Sequence, residues 1–81
     1  MKAPIKGRGY KLRGGYKPWK RLVHPFYPES GHQVYFISSR NGTDWGTAVQ
    51  SQPFDWWNAR VENPEGVELD KKGNVPATAT V

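Results

Sequence analysis

Between Arg8 and Lys17 the chain twice sets a guanidinium, glycine, a phenol and an ammonium in a row: Arg8-Gly9-Tyr10-Lys11, then Arg13-Gly14-Gly15-Tyr16-Lys17. Arg and Lys neutralise phosphates and release the counterions condensed on them. Tyr rings stack on exposed bases, at about 1–3 kcal/mol per base, and glycine lets a backbone approach closely. This set reads as a contact for nucleic acid or for an acidic crevice on another protein, where Tyr and Arg are favoured anchors. Lys6 precedes it, and Lys20 and Arg21 continue it. The candidate binding residues are therefore Lys6, Arg8, Tyr10, Lys11, Arg13, Tyr16, Lys17, Lys20 and Arg21. A second candidate is an aromatic patch of Phe54, Trp56 and Trp57, with Phe26 and Tyr27 also in or near loops. Contiguous exposed rings mark binding surfaces. The competing role for these rings is to fold over one end of a sheet and close its core.

Other chemistry is poorly provided for. His24 and His32 are the two imidazoles, and their spacing of eight residues fits no metal motif. Ser30, Ser38 and Ser39 lack the strand–turn–helix setting of a nucleophile. Glu62, Glu65, Glu68 and Asp70 read as a solvated acidic rim on a hairpin, because nothing nearby would raise the pKa of one of them. Gly7-Arg8-Gly9 has neither the preceding strand nor the following helix of a phosphate-cradling loop. There is no cysteine, so disulfides and thiolate chemistry are excluded. The expectation is a protein that binds without catalysing, with no cofactor, no metal and no small-molecule substrate. The paired Arg-Gly units resemble arginine- and glycine-rich RNA-binding segments, and two units do not define a family.

Charge divides the 81 residues in two. Residues 1–24 carry eight bases and no acid, or +8, while residues 25–81 carry four bases against seven acids, or −3. A basic arm on a mildly acidic body is the reading of such asymmetry. Residues 1–18 hold Gly7, Gly9, Gly14, Gly15, Pro4 and Pro18 with few aliphatics, so this segment is expected to be flexible and irregular when free. Residues 19–81 then form a single small β domain. A chain of this length buries only about 60% of its unfolded surface, which leaves room for one domain. Mean hydropathy is −0.81 and no apolar run approaches a membrane span. The basic N-terminus is followed by no apolar segment, so no secretory signal is expected and the location reads as cytoplasmic or virion.

The elements that must position these residues read as short strands. Trp19–His24 mixes apolar and basic residues and suits an edge strand. Pro25, Pro28 and Glu29-Ser30-Gly31 make a loop. Gln33–Ser38 is the best strand, rich in β-branched and aromatic residues. Asn41-Gly42 signals a hairpin turn and Trp45–Gln50 the returning strand. Residues 55–62 support either a strand over Trp57–Glu62, which is preferred, or a short helix capped by Asp55. The preference comes from Asn63-Pro64-Glu65-Gly66, a turn joining Arg60–Glu62 to Val67–Leu69 as hairpin arms. Lys71-Lys72-Gly73-Asn74 is a further turn, and Val75–Val81 alternates as an edge strand with Pro76. The fold class is mainly β: a small antiparallel sheet or a partly open barrel of the SH3 or OB kind, with a long irregular basic N-terminal arm.

Three functions fit this composition. The first expectation is a structural component of a larger assembly, of virion or ribonucleoprotein type, with the β body docked on protein and the basic arm on nucleic acid or an acidic crevice. The second is a regulator that binds nucleic acid directly through residues 1–21. The third is a phage-type inhibitor or adaptor of a host enzyme.

Overall fold

The computed structural model describes residues 3–27 and 33–76. Its elements in chain order are β1 (Arg8–Lys11), β2 (Trp19–Leu22), β3 (Gln33–Ser39), β4 (Gln50–Pro53), α1 (Phe54–Arg60) and β5 (Val67–Glu68). The strands form one antiparallel five-stranded sheet in the order β4-β3-β2-β1-β5. Among the described residues the sheet is open, with β4 and β5 as its edges, and no barrel closure is seen there.

Strand residues alternate between the two faces, and the two faces are covered differently. Tyr10, Leu22, Val34 and Phe36, with Leu12 just past β1, form the core together with Trp57 of α1. Aromatic geometry fixes the helix on this face: Tyr10 meets Trp57 edge-on at 5.4 Å, Phe36 tilts against Trp57 at 5.6 Å, and Phe36 stacks on Trp56 at 6.1 Å. On the opposite face the chain from β5 to Val75 lies across β1. A Cβ on Gly9 would stand 2.9 Å from Leu69 and 3.4 Å from Val67 and Val75, so glycine there permits this close cover. Arg21 pins the segment by donating from Nη1 to Gly73 O at 2.8 Å, and Val75 N donates to Gly42 O at 2.8 Å.

The segment expected to be an arm holds β1 and part of the core. Tyr10 and Leu12 are each 1% exposed. β1 pairs with β2 on one side and β5 on the other, so its backbone groups have partners despite the glycines. The apolar positions 10 and 12, two residues apart, are the strand signal, and the partner that buries them lies some fifty residues further along the chain.

The preferred strand over Trp57–Glu62 is likewise replaced by helix α1. Phe54 and Trp57 are three apart and so share the helix face that packs on the sheet. Asp55 sits in the first turn and Arg60 in the last, as the helix dipole favours. Pro53, not Asp55, holds the N-cap position. Val61 turns extended, ends the helix and bridges to Leu12.

β2 is an interior strand, not an edge. β3 follows its expected span with one residue more. The returning strand is Gln50–Pro53, later than expected, and Trp45 makes only an isolated bridge to Ser39. Asn41 shapes the loop between them by accepting at Oδ1 from Thr43 N and Asp44 N, each at 2.9 Å. The turn at 63–66 closes with Gly66 N donating to Asn63 O at 2.8 Å. The turn at 70–74 closes on Asp70, whose Oδ1 accepts from Lys72 N and Asn74 N. Arg60–Glu62 and Val67–Glu68 do not pair with each other; both run along β1. Val75 and Pro76 are not in a strand. The expected loop at 28–31, His32 and residues 77–81 lie outside the described residues.

Candidate nucleic-acid interface

Alternation along β1 and β2 divides the basic segment between the two faces. Tyr10 is in the core, and its hydroxyl accepts from Ile5 N at 2.7 Å. Arg8 is half-buried and donates to Glu65 O at 2.8 Å. Arg21 is committed to Gly73 O, with its guanidinium 5.0 Å from the centre of the Trp45 ring. Lys11 is half-buried beside Trp19, and Lys6 lines a recess of about 440 Å³ with Arg21 and Lys71 on the far face. Phe54 and Trp56 pack partly buried against the core and Trp57 is fully inside it, so the three rings do not make one exposed patch. Phe54 stacks on Phe26 at 5.0 Å, which is the core-closing role.

The remaining predicted residues gather on the helix side of the sheet with two arginines outside the predicted set. Tyr16, at the tip of the β1–β2 connection, is 74% exposed. Lys17 Nζ lies 5.8 Å and the Arg40 guanidinium 5.9 Å from its ring centre. Lys20, on β2, donates to Ser38 Oγ at 2.8 Å and lies 5.2 Å from the Phe36 ring centre. Phe36 stacks on Trp56, and the Arg60 guanidinium lies 4.7 Å from the Trp56 ring centre. Arg13 joins the far end, donating from Nη2 to Ala59 O at 2.7 Å and lining a recess with Arg60. From Arg40 the cations run through Lys17 and Lys20 to Arg60 and Arg13, with Tyr16 and Trp56 as the rings beside them and buried Phe36 beneath Lys20.

Electrostatics sharpen this stripe. Burial pushes the Lys20 ammonium below its ordinary pKa, and repulsion from Lys17 pushes it the same way. At the Arg40 end, Lys17 and Arg40 border a recess of about 570 Å³, together with Asn41, Thr43, Asp44, Trp45 and Gly46. Asp44 is the acid of that lining, and its Oδ2 accepts from Asn41 Nδ2 at 2.9 Å. Glu62, Glu65 and Glu68 instead follow the chain along the β5 edge. Arg60 was visible in the sequence as the i+4 neighbour of Trp56. Arg40 carries no local signal, because its partner Tyr16 is reached only through the pairing of β2 with β3.

Among the described residues no three His, Asp or Glu side chains converge as a metal site. No helix there is long and apolar enough to cross a membrane. No protein-family model, curated protein or solved structure matches the chain.

Proposed function

We propose that this chain is a non-enzymatic binding component that holds a nucleic-acid backbone on the helix side of its sheet, along the stripe from Arg40 to Arg13. The observation that supports the reading is the pairing of cations with accessible rings: Lys17 and Arg40 over exposed Tyr16, and Arg60 over partly buried Trp56. Guanidinium and ammonium groups suit phosphates, and ring faces suit bases. The place of such a component is a larger assembly of ribonucleoprotein or virion type, where a small body with one basic face sits between protein and nucleic acid. The basic face belongs to the folded body, so binding needs no disordered extension to be ordered.

A salt titration of the full chain against a labelled single strand and a labelled duplex tests this. The apparent affinity falls steeply with salt, and the log–log slope drops by about 0.7–0.9 for each phosphate contact removed by Lys17→Ala or Arg60→Ala. Absence of binding to either nucleic acid at low salt overturns the reading.

A further inference from the structure

Resting on that reading, we infer that the nucleic acid is single-stranded and that one unpaired base stacks on Tyr16, with its flanking phosphates on Lys17 and Arg40. Tyr16 is 74% exposed at a hairpin tip. The glycines before it, Gly14 and Gly15, have φ of +81° and +102°, and a Cβ on either would meet nothing within 4 Å. The turn leaves room beside its glycines, and a planar group can reach the exposed ring.

The two cations lie near the roughly 6 Å limit of cation–ring contact, at 5.8 and 5.9 Å. Both stand over the ring, so a base that stacks there takes the place of a cation, which turns out to a flanking phosphate. Asp44 decides what enters the adjoining recess of about 570 Å³. A phosphate placed inside would face the Asp44 carboxylate, so phosphates stay with the Lys17 and Arg40 ends and the base stays on Tyr16 outside the recess. A duplex keeps its bases stacked and paired and offers no such base to the ring; extruding one costs a few kcal/mol.

The test is fluorescence anisotropy with a labelled oligodeoxythymidine of about 12 nucleotides, inside the usual site range of roughly 4–16, and with a duplex of the same length at matched salt. The parent prefers the single strand. Tyr16→Ala weakens single-strand binding about tenfold and leaves both the salt slope and the duplex affinity unchanged. Tyr16→Phe binds as the parent does, because the ring and not the hydroxyl carries the contact. Melting curves of the two variants match the parent, since this side chain is outside the core. The inference is overturned if the duplex binds as tightly as the single strand, or if Tyr16→Ala loses less than about twofold. If neither nucleic acid binds the parent, the underlying reading falls and this one with it.

Discussion

Asn63 stands beside Lys11 in place of a strand residue: its Oδ1 accepts from Lys11 N at 2.7 Å, and its Nδ2 donates to Gly9 O at 3.3 Å. Glu62 N reaches Lys11 O at 2.7 Å and Val67 pairs with Gly9. Between these two points the chain leaves the sheet edge to make the turn at 63–66. One side-chain amide fills the gap, supplying an acceptor and a donor where β1 would otherwise have unpaired backbone groups.

Asn63→Ala is expected to destabilise the fold by about 1–3 kcal/mol, the cost of leaving such groups unsatisfied. Asn63→Asp keeps the acceptor and loses the donor, so it falls between the parent and the alanine variant. Urea unfolding measures both, and an unchanged midpoint for Asn63→Ala would sink the assignment.

Removing residues 1–12 is expected to abolish cooperative unfolding. The truncation strips Tyr10 and Leu12 from the core and exposes the edge of β2. Large-to-small changes at comparable buried positions cost about 2–5 kcal/mol each. The whole margin of a chain this size is about 4–12 kcal/mol, at roughly 0.05–0.15 per residue. Near-ultraviolet circular dichroism reports the loss through Trp57 and its neighbours. A truncated chain with the parent spectrum would restore the dispensable arm.

Gly66→Ala and Gly14→Ala separate backbone strain from crowding. Both glycines have positive φ, +74° and +81°. A Cβ at Gly66 would lie 2.9 Å from Tyr10 Cζ and 3.1 Å from Arg8 Cβ, whereas one at Gly14 meets nothing within 4 Å. Gly14→Ala should lose about 1 kcal/mol to the left-handed backbone. Gly66→Ala should lose about 1–3 kcal/mol more, because the core tyrosine must shift. Equal thermal midpoints for the two variants would contradict this.

Lys20 makes stability depend on pH in a definite direction. Burial and Lys17 lower its folded pKa below the unfolded one. The unfolded chain therefore binds more protons between the folded pKa and the ordinary lysine value near about 10.4, and stability rises with pH across that window. Below the window the charged ammonium carries its full desolvation penalty in the fold. Lys20→Met removes that penalty while Ser38 Oγ keeps Gln50 Oε1 at 3.3 Å. The methionine variant should gain most over the parent near neutrality and lose that advantage as the pH climbs. A constant difference between the two, followed by denaturant unfolding across pH, would refute the linkage.

Much of the secondary structure was readable from local chemistry. β-branched and aromatic residues mark β3, and the turns at 63–66 and 71–74 follow from Pro, Gly and Asn, though the Asp70 carboxylate that closes the second was read as part of an acidic rim. The failures were non-local. Glycine content argued for a disordered N-terminal segment, and no local feature discloses that Trp57 waits to bury Tyr10. Val61 and Val67 alternate as hairpin arms should, yet both use β1 as their partner, which only the tertiary fold decides. The basic cluster was legible as a cluster but not as a surface. Strand alternation sends Tyr10 inward and commits Arg21 to Gly73, while Arg40 arrives beside Tyr16 from a different hairpin.

The pairing of β1 with β5 also bears on how quickly the native state is reached. The β1–β2 and β3–β4 hairpins can form early, since each joins neighbours along the chain. β1 meets Val61, Val67 and Glu68 only after a loop of some fifty residues has closed. Domains dominated by such distant pairings fold in about milliseconds to seconds, slower than helical bundles of similar size. Until that closure the outer edge of β1 offers unpaired backbone groups to any other extended chain, so the interval before Asn63 docks is when self-association competes with folding.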